Sequence, residues 1–213
     1  MSIIYKGTIT EDNSGVEKEF EIHQGLNPQF NIDMHNLWNK KNIELLQSIQ
    51  SESNGDAAKL KLLLDDCMLE DYHWNWVGKV YDCFGSDYEW FYLIIDDIIQ
   101  ACCVIYHPKK SKMDEDDIFY VKYLAVAPWN RNTPFFKRKF GALGSILLGN
   151  CTVYSNSEYK YRYGFSLHSL PQALDYYVNK LGMSDYGIDS AEENLHYLEI
   201  SENNSKDLAE KYV

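Results

Sequence analysis

Between Asp117 and Glu158 the chain carries no acidic residue, although the whole protein of 213 residues has a formal charge of -12. The stretch opens IFYVKYLAVAPW, continues NRNTPFFKRK and ends FGALGSILLGNC. Aromatic and β-branched residues make its first part a strand, and the Ala, Leu and Ile that follow make its last part a helix. The order is therefore strand, turn, helix, with Lys122 on the strand and Arg131, Lys137, Arg138 and Lys139 gathered before the helix begins. A helix start exposes unpaired amide N–H groups and carries a partial positive charge, so such a junction can hold an anion. Gly141 and Gly144 let a ligand approach the backbone closely. A P-loop would need GxxxxGK(S/T) and a dinucleotide fold GxGxxG, and FGALGS is neither.

The rest of the composition narrows the class. A hydrophobic content of 45%, with 15% aromatic, is enough to bury a core in one domain. Net acidity excludes general nucleic-acid binding, which needs a broad cationic face. No apolar run approaches the roughly 20 residues that cross a bilayer, and MSIIYKGTITED lacks the marks of a cleaved leader, so no membrane partner and a cytoplasmic location are expected. The five Cys form no CxxC pair and are expected to be free thiols, with the adjacent Cys102 and Cys103 facing opposite sides of a strand. The acidic run at 114–117 reads as a solvated loop, and no metal is expected.

Along the chain, IIYKGTIT and VEKEFEIH flank EDNSG as an edge hairpin. Helical periodicity starts at Asn31 and brings Met34, Leu37, Trp38, Leu45, Leu46 and Ile49 to one face, up to the breaker SESNGD. Asp56 is the expected N-cap of a second helix, AAKLKLLLDDCML, and DYHWNWVGKVYDCFG reads as a third, ending at Gly85. Strands EWFYLIID and IIQACCVIYH meet across an Asp96-Asp97 turn. The second half alternates strand (IFYVKYLAVA), helix (about 140–156), strand (YRYGFSL), helix (171–181) and strand (LHYLEI), which implies a mixed sheet covered by helices. The tail SENNSKDLAEKYV is expected to fray.

The central stretch resembles the GNAT superfamily of acyl-CoA-dependent N-acetyltransferases. Leu124-Ala125-Val126-Ala127-Pro128 matches that family's LxVxP strand, and Lys139 to Leu148, KFGALGSILL, matches its (Q/R)xxGx(G/A) turn and the helix after it. Lys139 stands where the family has Gln or Arg, Ala142 where it has a first Gly, and the connection from Trp129 to Arg138 is longer than usual. GFSLHSLPQALDYYVNKLGM resembles the next strand and the helix AxxFYxxxGF, with Ala173, Tyr176, Tyr177, Gly182 and Met183 in place after one inserted residue. The resemblance covers about 90–200.

It implies an α/β (α+β) fold, a mixed and mostly antiparallel sheet flanked by helices, with splayed parallel strands at the CoA site. One domain over 1–213 is expected, comprising an N-terminal hairpin (1–30), a helical acceptor-side region (31–88), a CoA-binding core (89–200) and a polar tail (201–213). The implied activity is transfer of an acetyl group from acetyl-CoA to a primary amine, without a metal. The alternative is a catalytically inactive module that binds or senses CoA, or an interaction module that uses the cationic turn for an acidic partner. Implied partners are acetyl-CoA and the acceptor, with no nucleic acid and a homodimer left open.

The resemblance also implies site roles. CoA would lie along Leu124, Ala125 and Val126, whose edge hydrogen-bonds pantetheine, with the Val126 N–H donating to the thioester oxygen. The pyrophosphate would take the turn from Lys139, Phe140, Gly141, Ala142 and Leu143 to Gly144 and Ser145, assisted by Arg131 and Arg138, with Ser169 and Tyr177 completing the cofactor set. Tyr177 is the expected acid for the leaving thiolate, and Tyr176 a core residue. His73 and Trp76 lie in the region that lines the acceptor side, where the aromatics at helical spacing read either as pocket or as core residues, together with Tyr120 and Lys122, which strand parity would place on the face of Leu124. No carboxylate sits on that strand to act as base. Three alternatives stand: a desolvated Lys122, a carboxylate acting through water with Asp71 and Glu89 as candidates, or an acceptor that arrives neutral. His168 reads as a supporting histidine.

Overall fold

The computed structural model describes all 213 residues. Its frame is one eight-stranded sheet in the order β1-β2-β3-β4-β5-β6-β8-β7. The strands are β1 (Ser2–Thr10), β2 (Glu17–Gln24), β3 (Tyr88–Ile95), β4 (Ile98–Lys110), β5 (Asp117–Val126), β6 (Phe165–Ser169), β7 (Ser184–Asp189) and β8 (Leu195–Glu199). All neighbours are antiparallel except β5 and β6. The first hairpin stands at the sheet edge as expected, and Asp96 and Asp97 turn β3 into β4 with φ of 50° and 61°. Such left-handed pairs match the twist of a tight hairpin, and Asp tolerates them because its side chain can bond locally.

Helices α1 (Pro28–Ser53), α2 (Ala57–Asp66) and α3 (Trp76–Asp82) precede the central strands. Asp56 caps α2 as its position predicted, accepting from the N–H groups of Ala58 and Lys59. The third helix is shorter than its sequence pattern, because Asn75 caps it and leaves DYHW outside. Helix α4 (Leu143–Tyr159) follows the central strand, and α5 (Pro171–Asp175) continues as a π-helical turn over Tyr176–Lys180. The C-terminal residues do not fray: they form α6 (Glu202–Tyr212), capped by Ser201, with Ser205, Leu208 and Ala209 buried. Gly149 of α4 makes that packing close, since a Cβ there would lie 3.3 Å from the Leu208 carbonyl oxygen. Strand β7, rich in the weak strand formers Ser, Asp and Gly, was not expected from sequence; it is an exposed edge.

The two sheet faces carry different cores. On one, Phe91, Leu93, Cys103, Phe119 and Val121 pack under Phe140, Leu143, Leu147 and Cys151 of the turn and α4. On the other, Trp90, Tyr92, Cys102 and Val104 meet Met34 and Trp38 of α1 and Trp76 of α3. Cys102 and Cys103 thus point to opposite cores, and all five Cys are buried free thiols. Each large apolar side chain so buried contributes roughly 2–3 kcal/mol. A buried Asn31 locks the second face: its amide donates to the Trp76 carbonyl at 3.0 Å and accepts from the Tyr92 hydroxyl at 2.6 Å. That fixes α3, and with it one wall of the site, against the sheet.

Candidate functional site

β5 and β6 pair only from Phe119↔Phe165 to Val121↔Leu167. β5 then continues to Val126 with no parallel partner, and a cleft of about 550 Å³ opens there. The Ala127 N–H donates to the Gln100 carbonyl of β4 at 2.8 Å. Strand alternation then turns the N–H and C=O of Leu124 and Val126 away from β4, into the gap. The Val126 carbonyl accepts from Arg131 at 3.1 Å, so the N–H groups of Val126 and Leu124 are the open donors on that edge.

The far wall is the start of α4. Ala142 is its N-cap at φ 58°, and no side chain caps the first turn. The first intrahelical bond, from the Ile146 N–H to the Ala142 carbonyl at 2.9 Å, leaves the N–H groups of Leu143, Gly144 and Ser145 without helical partners beside the cleft. An Ala held left-handed costs about 1 kcal/mol or more, so the turn is maintained against local strain. Its position is set by Asn130, whose amide donates to Gln100 at 2.9 Å and whose carbonyl oxygen accepts from the Phe140 N–H at 3.2 Å.

Most of the cations there are already paired. Both carboxylate oxygens of Asp71 accept from Arg131, at 2.7 and 2.6 Å. Arg138 lines the cleft yet donates to Asp12 of the β1–β2 turn at 2.6 Å. Lys139 lies 3.5 Å from Glu11 and does not line the cleft, and Lys137 forms no ion pair. The groups that line the cleft and could meet a phosphate are therefore the α4 amides and Arg138, which a ligand would share with Asp12, while Arg131 is held by Asp71 and Lys137 and Lys139 stand outside the lining. The placement of Ser169 is corrected, since it is buried and donates to the Leu170 carbonyl, outside the cleft. Leu124, Ala125, Val126, Arg131, Phe140, Gly141, Leu143, Gly144, Ser145 and Tyr177 line it alongside Ala142 and Arg138.

The two tyrosines after β6 exchange their expected surroundings in part. Tyr176 is exposed, lines the cleft, and shares a 2.5 Å hydrogen bond with the Ser145 hydroxyl, so it is not a core residue. Tyr177 packs on the first core yet also reaches the cleft, and burial pushes its phenol up, keeping it protonated. The π turn, closed by the Leu181 N–H on the Tyr176 carbonyl at 3.2 Å, takes up the one inserted residue noted in the sequence.

A second pocket of about 340 Å³ adjoins the first, sharing Asp71, Leu124, Gln172, Ala173 and Tyr177 with it. Tyr120, Lys122 and an exposed His73 line it; Trp76 does not, being buried in the core against Trp38 and Trp74. Nor does strand parity hold. Val104 pairs with Tyr123 and Ile105 with Val121, so Lys122 is bulged, and Leu124 and Val126 face the core of Phe119 and Val121 while Tyr120 faces the other side. Glu89 lies elsewhere, hydrogen-bonded to Gln24 and Tyr159.

Lys79, unremarked in the sequence, is the prominent charge of this pocket. Its ammonium sits 3.2 Å from the Tyr123 ring centroid and 4.6 Å from that of Trp74, with no carboxylate in contact, and desolvation lowers its pKa to about 8. The aromatic surface facing the pocket therefore already holds the protein's own cation. Glu192 and Glu193 stand opposite at the mouth. The last pair in the pocket is Tyr120 and His168, whose Oη and Nδ1 are 2.8 Å apart.

No protein-family model and no curated protein matches the sequence. Solved structures do. An uncharacterised protein from Bacillus halodurans aligns over 100% of both chains at 10% identity, with a TM-score of 0.54. A protein of the yellow fever mosquito, assigned as arylalkylamine N-acetyltransferase 7, aligns over 93% of this chain and 94% of its own at 8% identity, with a TM-score of 0.51. Mixed sheet, single splayed parallel pair and flanking helices agree with this likeness: the chain has the fold of the GNAT N-acetyltransferases.

Proposed function

We propose that the protein transfers an acetyl group from acetyl-CoA to a primary amine. The observation that carries this reading is one cleft with three features on its walls: the unpaired edge of β5 at Val126, the uncapped start of α4, and the Tyr177 phenol. An extended pantetheine arm fits the first as an added strand would, and a pyrophosphate fits the second. The Val126 N–H would then face the thioester oxygen, where charge grows as the carbonyl carbon becomes tetrahedral; a donor so placed is worth about 3–4 kcal/mol. Tyr177, where the two pockets meet, would give its phenol proton to the departing thiolate.

The acceptor would enter by the adjoining pocket and meet the thioester near Leu124 and Tyr177, which both spaces share. Glu192 and Glu193 at its mouth favour an ammonium, whereas Lys79 and Lys122 inside disfavour a second positive group. The class that fits is a monoamine or an amine bearing an anionic group, in preference to a polyamine. An aryl ring on the acceptor would compete with Lys79 for the faces of Trp74 and Tyr123.

Thiol release from acetyl-CoA, followed with tyramine, cadaverine, spermidine, L-lysine, glycinamide and a lysine peptide, tests the proposal. Amine-dependent release, faster for the monoamine glycinamide than for cadaverine or spermidine, is expected. Tight CoA binding with no release from any of these amines would favour the binding module that has lost catalysis.

A further inference from the structure

The acceptor pocket contains a short hydrogen-bonded chain that crosses three strands. Tyr120 of β5 lies 2.8 Å from Nδ1 of His168 on β6, and His168 Nε2 lies 3.2 Å from Oδ2 of Asp189 on β7. An ionised carboxylate only accepts, so Nε2 carries the ring proton and Nδ1 presents a lone pair, to which the Tyr120 hydroxyl donates. The His168 backbone N–H also approaches Tyr120 Oη, which leaves one lone pair of that oxygen for the pocket that Tyr120 and His168 both line. The other groups facing this histidine are Tyr197 of β8, edge-on at 5.1 Å, and Glu192 beyond Tyr120; among cations, Lys112 lies over the Tyr197 ring at 4.0 Å and acts on Asp189, and Lys79 and Lys122 line the same pocket.

We propose that Tyr120, His168 and Asp189 form a proton relay that deprotonates the acceptor ammonium, a task for which β5 supplies no carboxylate. The inference rests on the acetyltransferase reading. Three other candidates are engaged or remote: both Asp71 oxygens are held by Arg131, Glu89 is bound to Gln24 and Tyr159, and the Lys79 ammonium is held against aromatic rings; Glu192 and Glu193, which line the same pocket, are the rivals the experiment separates.

In the step, the ammonium gives a proton to Tyr120 Oη while the tyrosine's own proton moves to His168 Nδ1. Tyr120 ends neutral, and the imidazolium forms beside the Asp189 carboxylate. Tyr120 never has to become a tyrosinate, so the raised pKa of its buried phenol is no obstacle. The freed amine lone pair bonds to the thioester carbon and the carbonyl pair moves onto oxygen. When that pair returns, the C–S bond breaks and the thiolate takes the Tyr177 proton. The second proton on nitrogen leaves to water, water reprotonates Tyr177, and the imidazolium discharges to solvent past the partly exposed Asp189. The sum is ammonium plus thioester giving amide, thiol and one proton.

The experiment is the pH dependence of kcat/KM with the fastest amine of the panel, alongside calorimetry with acetyl-CoA. His168→Gln should lower the rate at pH 7 by about 100-fold and replace the wild-type plateau with a rate that keeps rising toward the amine's own pKa. Tyr120→Phe should do the same, Asp189→Asn should move the rising limb to lower pH, and acetyl-CoA affinity should hold in all three. A His168→Gln enzyme within threefold of wild type with an unchanged profile would overturn the relay and leave the transferase reading intact. So would a limb that moves with Glu192→Gln or Glu193→Gln instead. Wild type without turnover would reject the transferase reading, and the relay with it.

Discussion

Tyr176 and Tyr177 are adjacent and chemically identical, yet their surroundings assign them different work. Tyr176 spends its hydroxyl on Ser145 at the mouth of α4, while Tyr177 stands at the junction of the two pockets. Tyr177→Phe removes only the proton donor and should lower kcat by about tenfold or more with acetyl-CoA affinity unchanged; equal loss in Tyr176→Phe would reject this division. Lys79 gives a prediction for stability. Its pKa is about 8 in the fold against 10.5 when free, so unfolding takes up a proton between those pH values. Stability from this residue therefore rises with pH across that window, and its full burden is present below pH 8. Lys79→Met should raise Tm at pH 7 by roughly 3 °C or more, with the gain shrinking toward pH 10 in thermal melts. A gain independent of pH would mean that packing, not the charge, is responsible.

Among the elements, the hairpin tip between β1 and β2 is the part whose role only the structure discloses. Its Asp12 and Glu11 face Arg138 and Lys139, so an acidic loop compensates the cationic turn when no phosphate is present. Both partners are substantially exposed, and such a pair is worth at most about 1 kcal/mol. Asp12→Asn should therefore tighten CoA binding by up to about fivefold at low salt and by less at high salt; weaker binding would show that the tip supports the site and does not compete for it. Local signals made much of this architecture legible. The hairpin, the Asp56 cap, the Asp96-Asp97 turn and the divided Cys102-Cys103 pair follow from turn chemistry and alternation. What escaped depends on partners distant in sequence. The bulge at Lys122 is set by β4, the π turn by closure over Tyr176 and Tyr177, and the pairing of Arg138 by a loop 126 residues away. The last helix was legible in principle: Ser205, Leu208, Ala209 and Tyr212 follow i, i+3, i+4, i+7, but the stripe is narrow and half small, so polarity masked it.

For the whole molecule, the sheet puts two spaces back to back across β5: one beside α4 with open amides, one beside α3 with a caged lysine and a Tyr-His-Asp chain. The central claim is that acetyl-CoA occupies the first of these. The most direct measurement is calorimetric titration of wild type and Gly144→Glu with CoA. Gly144 faces the cleft, and a Cβ added there would meet only Leu124, at 3.6 Å, so the fold should accept the larger residue while its carboxylate repels the pyrophosphate. Binding by wild type and a loss of at least tenfold in the variant, at equal Tm, is the predicted result. Equal CoA affinity in the two proteins would contradict it.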